Sequence, residues 1–245
     1  MTDWMVEVCT SFKCSKRSYF LAVRCFDTYL VIMRRRGVVL ANKDVHCVGV
    51  AAMYLASKYE DIYPLHSKIV SEKIAHKAIS AAEILTKEAE FLTLLDFQVD
   101  LVTHHDFHET VADKLKSKLR DEPAFKLVAD MAMLLVKMAL QSIDFSTSSP
   151  SIVVTAAFLA AINIRQKKLG DDDLCKRAKE AVFELAAEDQ LAVSGSDELT
   201  RRYRAQFKTA NLSAVAERLE DFFRRFDDWH CGLNQLKRFN KVPYQ

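Results

Sequence analysis

Along the chain, stretches in which apolar residues return every three or four positions alternate with short stretches rich in Ser, Asp, Asn or Gly, the pattern of helices joined by brief loops. It predicts helices over 3–13, 16–36, 43–61, 66–77 and 81–96, then over 104–119, 123–142, 150–167, 172–188 and 212–229. Two segments have no polar face. Residues 45–56 and 152–164 are apolar almost all round, so each reads as a rod buried on every side by its neighbours. The two rods align as VGVAAMYLA over VVTAAFLAA, with Ala51 above Ala156, an offset of 105 residues. Both are preceded by helix-start signals, Asn42 in one and Ser149-Pro150 in the other. A unit of about a hundred residues present twice is the economical reading. The boundary falls at 98–103, where Thr103 is placed to cap the next helix.

Three charges break this apolar pattern. Lys58 follows Leu55 by three residues, so Leu55, Lys58 and Tyr59 share a face where the first rod surfaces. Glu88 lies within the stripe Ile84, Phe91 and Leu95 of a helix opened by the capping box Ser80-Ala81-Ala82-Glu83. Asp27 lies within the stripe Phe20, Val23, Leu30 and Val31 of a helix that stops at Gly37. A charge on an apolar face is paired, is neutralised or meets a partner, since burying it alone costs several kcal/mol.

Composition narrows the class. Five Gly and four Pro in 245 residues are too few for a sheet protein full of tight turns. With 35 basic and 33 acidic residues there is no global field to drive binding to nucleic acid or a membrane surface, so recognition is expected to be local and apolar. Six cysteines without C-x-x-C or zinc-finger spacing read as small core residues in a reducing compartment. The longest apolar stretch is too short to cross a bilayer, and no signal-peptide pattern opens the chain, so a soluble intracellular protein is expected.

At this level of detail the sequence resembles a known family. The string LASKYEDIYP at 55–64, the stretch WMVEV at 4–8, CFDTYL at 25–30 and the five-helix unit present twice are similar to the cyclins, most of all to the mitotic A and B types. In the second unit the resemblance rests on 151–162 and on the tail LKRFNKVPY. It implies an all-α fold of two tandem five-helix cyclin boxes, each around a buried central helix. The first box spans 1–100 with its first helix truncated; the second spans 101–245, with an insertion near 190–211 and a C-terminal tail.

The family's function, carried over residue by residue, implies a regulatory subunit that binds and activates a cyclin-dependent protein kinase in cell-cycle control, in nucleus and cytoplasm. Lys58 and Glu88 match the charges that hold the kinase around its mobile C-helix. Leu55, Tyr59, Leu92, Phe97 and Val99 match the apolar contacts, and Asp27 matches an acid supporting them through a buried arginine. Trp4, Glu7, Val45 and His46 match part of a groove for substrates or inhibitors with basic-x-apolar motifs. Two departures stand out: the arginine that pairs the acid at the position of Asp27 precedes the residues of this chain, and Leu65 replaces a second proline.

No G-x-G-x-x-G, P-loop, G-x-S-x-G or H-E-x-x-H occurs, so no catalytic residue, cofactor or metal is expected. His104 and His108, a helical turn apart in HHDFHE, read as part of a solvated first turn. Two rivals use the same fold, a kinase-independent scaffold and a DNA-binding core like that of the B-type general transcription factor. The second would carry a zinc ribbon and a basic repeat, and neither is present in these residues.

Overall fold

The computed structural model describes residues 1–119, 122–146, 148–170, 173–192 and 209–225, and among these the regular structure is helical, with no strand. The chain forms two compact units, Met1–His105 and Asp106–Gln245.

The first unit comprises α1 (Thr2–Ser11), α2 (Lys16–Arg35), α3 (Asn42–Glu60), α4 (Ser67–Ile69) and α5 (Ala81–Leu94). Helix α3 is the central rod. Every residue from Val48 to Ser57 is buried, with α2 on one side and α5 on another. The start of α1 lies on α3 at Gly49, where a Cβ would stand 2.6 Å from the Met1 sulfur. Glycine is therefore what allows this close approach.

Helix ends follow the chemistry of their caps. Ser80 and Glu83 form the expected capping box, with Ser80 N–H donating to the Glu83 carboxylate at 2.8 Å and Glu83 N–H to Ser80 Oγ at 3.2 Å. Helix α3 begins differently from expectation. Asn42 is already helical, and Asp44 reaches back to accept the Ala41 N–H at 3.3 Å. Three helices close in Schellman motifs, with left-handed Lys13, Gly37 and Asp96 after α1, α2 and α5, each followed by an N–H that donates five residues back.

The helix expected over 66–77 is only partly α-helical. After α4 the chain widens into a π turn over Val70–Ile74, with Ala75 N–H donating to the Val70 carbonyl at 2.8 Å. The wider turn brings Val70, Ile74, Ala75 and Ile79 into the core together, while Ser71 Oγ donates to the Ile79 carbonyl at 2.7 Å and ties off the far end.

The second unit carries α6 (His104–Leu119, whose first two residues belong to the first unit), α7 (Glu122–Ala139), a 3-10 turn at Ile143–Phe145, α8 (Pro150–Leu169), α9 (Asp173–Ala192) and α10 (Thr209–Arg224). Helix α8 is its rod, buried from Ser151 to Ile162 and packed on α7, α9 and α10. Pro150 occupies its first turn as the sequence suggests. Helix α7 ends three residues short of 142, where the chain tightens into the 3-10 turn. The core of the expected insertion, residues 193–208, and the tail 226–245 lie outside the described residues.

No described helix is long and apolar enough to cross a membrane. Of Cys9, Cys14, Cys25, Cys47 and Cys175, none is in a disulfide.

Candidate protein-docking site

The C-terminal end of α3 is held from two directions. Ser57, buried within the rod, donates from Oγ to Asp61 Oδ2 at 2.8 Å and accepts the Leu65 N–H at 2.9 Å. Asp61 in turn accepts the Ser15 N–H at 2.9 Å, so one carboxylate joins the end of α3 to the start of α2. Burial works to raise the Asp61 pKa, but the hydrogen bonds from Ser18, Ser15 and Ser57 outweigh it and hold the carboxyl below its usual value. Sequence reasoning missed this network. Its signal was a serine in an otherwise apolar run, followed by Asp61 one turn later.

On this fixed end stands Lys58, which meets Glu88 of α5. Lys58 Nζ lies 2.7 Å from Glu88 Oε1, with the lysine side chain 41% exposed and the glutamate 7%. The approach is off-line for a hydrogen bond, and the buried Oε1 accepts none. The pair is electrostatic contact without directional satisfaction, which leaves an acceptor and a half-exposed cation side by side. Lys58 Nζ is also 5.0 Å from the centre of the Tyr54 ring.

Helix α5 is keyed in place beside Glu88. Tyr29 of α2 donates its hydroxyl to Glu90 Oε1 at 2.6 Å, and Lys87 donates to Glu90 Oε2 at 2.6 Å. The rings of Tyr29 and Phe91 are 4.8 Å apart, and Ile84 and Phe91 are fully buried. With α5 fixed in rotation, Glu88 faces inward.

Apolar groups are present at the same two helix ends. Tyr59 is 53% exposed and Phe97 72%, and Ile62 and Tyr63, which follow α3, are more exposed still. The Schellman motif of α5 pairs Leu92 with Phe97, whose N–H donates to the Leu92 carbonyl at 2.8 Å. Phe97 has a φ of 58°, directly after Asp96 at 50°. Two consecutive left-handed non-glycine residues are strained, and strain of this kind gathers at functional surfaces. Leu55 and Val99 are buried and support the face from beneath, while Leu92 is half-buried.

Asp27 departs from expectation. The buried face of α2 runs through Ala22, Cys25, Phe26, Tyr29 and Met33, which leaves Asp27 on the exposed side with Val31. The residue is open to solvent overall. Its carboxyl is nevertheless hemmed in enough that desolvation raises its pKa, with Arg24 one turn earlier opposing the shift. Arg24 is thus the cation whose charge acts on Asp27 among the described residues.

The second set of site residues lies at the start of α1 and α3. The Trp4 and His46 rings meet edge to face, with centroids 5.4 Å apart, and Trp4, Glu7, Val45 and His46 are all half-buried.

The histidine cluster of α6 is not the solvated turn the sequence suggests. His105 and His108 are buried, and His108 Nε2 lies 3.0 Å from the Ala129 carbonyl while its ring stacks on Phe158. Desolvation, helped by Arg24, lowers the His104 pKa to about 4. His108 thus commits one ring nitrogen to a backbone carbonyl. Among the described residues, the atoms that converge belong to His105, Asp106 and Glu109, within 4.8 Å of one another. Three ligands from one helical turn, without a fourth, fall short of a structural zinc site.

The second unit repeats the arrangement in a different form. At the position 105 residues after Lys58 stands Asn163, whose Nδ2 donates to Oε1 of the buried Glu220 on α10 at 2.7 Å. Lys167 donates to Oε2 at 2.5 Å. Here both carboxylate oxygens are satisfied, in contrast to Glu88, and the pair reads as a structural tie between α8 and α10.

Residues 1–100 match the model of the cyclin N-terminal domain. The G1/S-specific cyclin-D2 of Mus musculus is 28% identical over 190 residues, covering 76% of this chain and 61% of the relative. Cyclin-A2 of Xenopus laevis is 33% identical over 164 residues, covering 66% of this chain and 36% of that protein. Cyclin-B1-1 of Arabidopsis thaliana is 28% identical over 161 residues, covering 66% and 35%. The chain thus spans between about a third and three fifths of the length of these relatives, and D-type cyclins stand beside the A and B types at similar identity. Among solved structures, a viral cyclin from herpesvirus saimiri superposes with a TM-score of 0.56 at 19% identity, covering 75% of this chain and 82% of that one, a likeness of fold. Through its N-terminal domain at residues 1–100, the chain belongs to the cyclin family.

Proposed function

We propose that the chain binds a cyclin-dependent protein kinase through the ends of α3 and α5 and activates it by fixing the position of the kinase C-helix. The observation that carries this reading is the incompletely satisfied Lys58–Glu88 pair, with buried Oε1 lacking a hydrogen bond, set among the exposed side chains of Tyr59 and Phe97. A helix laid against these side chains would bury them, at about 1.5–3 kcal/mol for each large apolar group. Its polar groups would meet the Lys58 ammonium and the Glu88 carboxylate, which fix register rather than supply most of the energy.

In a kinase, the C-helix glutamate must pair with the lysine that orients ATP, and the activation loop must open. A rigid α3–α5 face that holds the C-helix inward supplies both conditions without any catalytic group of its own, as befits a regulatory subunit. The half-buried Trp4, Glu7, Val45 and His46 form the corresponding proposal for short basic-x-apolar substrate or inhibitor motifs. Action in both nucleus and cytoplasm belongs to the same proposal.

The experiment is affinity purification of the chain from its own cells, followed by mass spectrometry and a phosphotransfer assay on the recovered complex. A kinase catalytic subunit whose activity depends on the chain is the expected result. Recovery of other proteins with no kinase would replace this reading with that of a scaffold.

A further inference from the structure

The end of α1 brings two thiols together in a way that neither the docking face nor the core requires. In its Schellman motif, Cys9 occupies the last-but-two position of the helix and Cys14 the second position beyond the cap, the two places whose side chains meet in such motifs. The α5 motif puts Leu92 and Phe97 in the same two places, and the α2 motif puts Met33 and Val38 there. Only after α1 are both occupants cysteines.

Cys14 N–H donates to the Cys9 carbonyl at 2.9 Å, which with standard bond lengths confines the two Cα atoms to within about 6.8 Å of each other. A disulfide needs Cα atoms roughly 4.4–6.8 Å apart. Cys9 is buried, whereas Cys14 is half-buried and so open to a small oxidant. The Cys9 thiol also donates a hydrogen bond to the Cys14 sulfur, which lowers the Cys14 pKa against the opposing effects of burial and the Asp61 charge. Burial pushes Cys25 up to about 12 and raises Cys47 as well, so those thiols are kept protonated and slow.

We infer that Cys9 and Cys14 are a redox-active pair that closes to an intrachain disulfide on exposure to a hydroperoxide. Cys14 thiolate attacks a peroxide oxygen, breaking the O–O bond, and becomes a sulfenic acid while the other oxygen leaves as water after taking up a proton. The Cys9 sulfur then attacks the sulfenic sulfur, the S–S bond forms and the hydroxyl leaves as a second water. Two thiols lose two electrons and two protons, and one hydroperoxide is reduced. The link fastens α1 to the residue before Ser15, whose N–H is held by Asp61 at the end of α3. The modification site is therefore built into the junction that supports Lys58 and Tyr59.

The test uses the purified chain and hydrogen peroxide at one equivalent, quenched by alkylation. Lys13 separates the cysteines, so trypsin leaves a disulfide between them as peptides 1–13 and 14–16 joined together. The expected result is an intact mass below that of the alkylated, unoxidised chain by the two alkyl groups that Cys9 and Cys14 no longer take up, and that linked pair, released by dithiothreitol and absent from Cys14→Ser, with Cys25 and Cys47 alkylated as free thiols. Recovery of the two peptides unlinked, Cys14 carried on to a sulfinic acid, or links from either cysteine to another position would overturn the inference.

Discussion

His104 offers a quantitative test of the burial at the start of α6. Its pKa falls from 6.5 to about 4 because the ring is desolvated, with the Arg24 charge acting in the same direction. In the unfolded chain the ring takes up a proton as pH drops through 6.5, whereas the folded chain resists until about pH 4. The unfolded state therefore binds more protons across this window, and stability is full above it and falls as pH falls. The whole shift corresponds to about 3 kcal/mol, of which about 2 kcal/mol is lost by pH 5. The assay is urea unfolding of the wild type and His104→Gln at pH 8, 6.5 and 5. The difference in stability between the two proteins should change by about 2 kcal/mol over that range, in favour of the variant at low pH. Parallel pH profiles for the two proteins would refute the burial argument.

Two further changes probe the supports of the docking face. Ser57→Ala removes the donor to Asp61 and orphans the buried Leu65 N–H, so denaturant unfolding should show a loss of about 2–3 kcal/mol; a loss below about 0.5 kcal/mol would mean that water replaces the hydroxyl without cost. Asp96→Gly relieves a left-handed residue at the end of α5 and should raise stability by about 0.5–1 kcal/mol, with a lowered urea midpoint counting against the assignment of strain there.

The sequence conveyed most where a physical rule has few exceptions. A rod apolar on every face must be buried, and Lys58 and Glu88 stood out because a charge next to such a surface demands an answer. Phase was harder to read in α2, where Phe20, Val23, Leu30 and Val31 compete with Ala22, Phe26, Tyr29 and Met33 as candidate stripes. The structure buries the second set together with Phe20 and Val23 but leaves Leu30 half-buried and Val31 exposed, so Asp27 turns outward. The π turn at Val70–Ile74 depends on which carbonyl each N–H selects, and side-chain pattern does not report that choice. His105 and His108 looked solvated because imidazole is polar, yet each also has an apolar ring, packed here against Phe20 and Phe158 respectively. The Ser57 to Asp61 network escaped notice because a small hydroxyl leaves an apolar pattern nearly unchanged.

The most direct measurement of the central claim is kinase activation as a function of chain concentration for Lys58→Ala and Phe97→Ala, with thermal unfolding recorded for each. Phe97 is 72% exposed, so its truncation should leave the melting temperature unchanged. If the face holds a kinase helix, Phe97→Ala should raise the half-activating concentration by a factor corresponding to about 2 kcal/mol, and Lys58→Ala by one corresponding to about 2–5 kcal/mol. Wild-type activation by both variants at wild-type concentrations would contradict the account and leave the scaffold reading in its place.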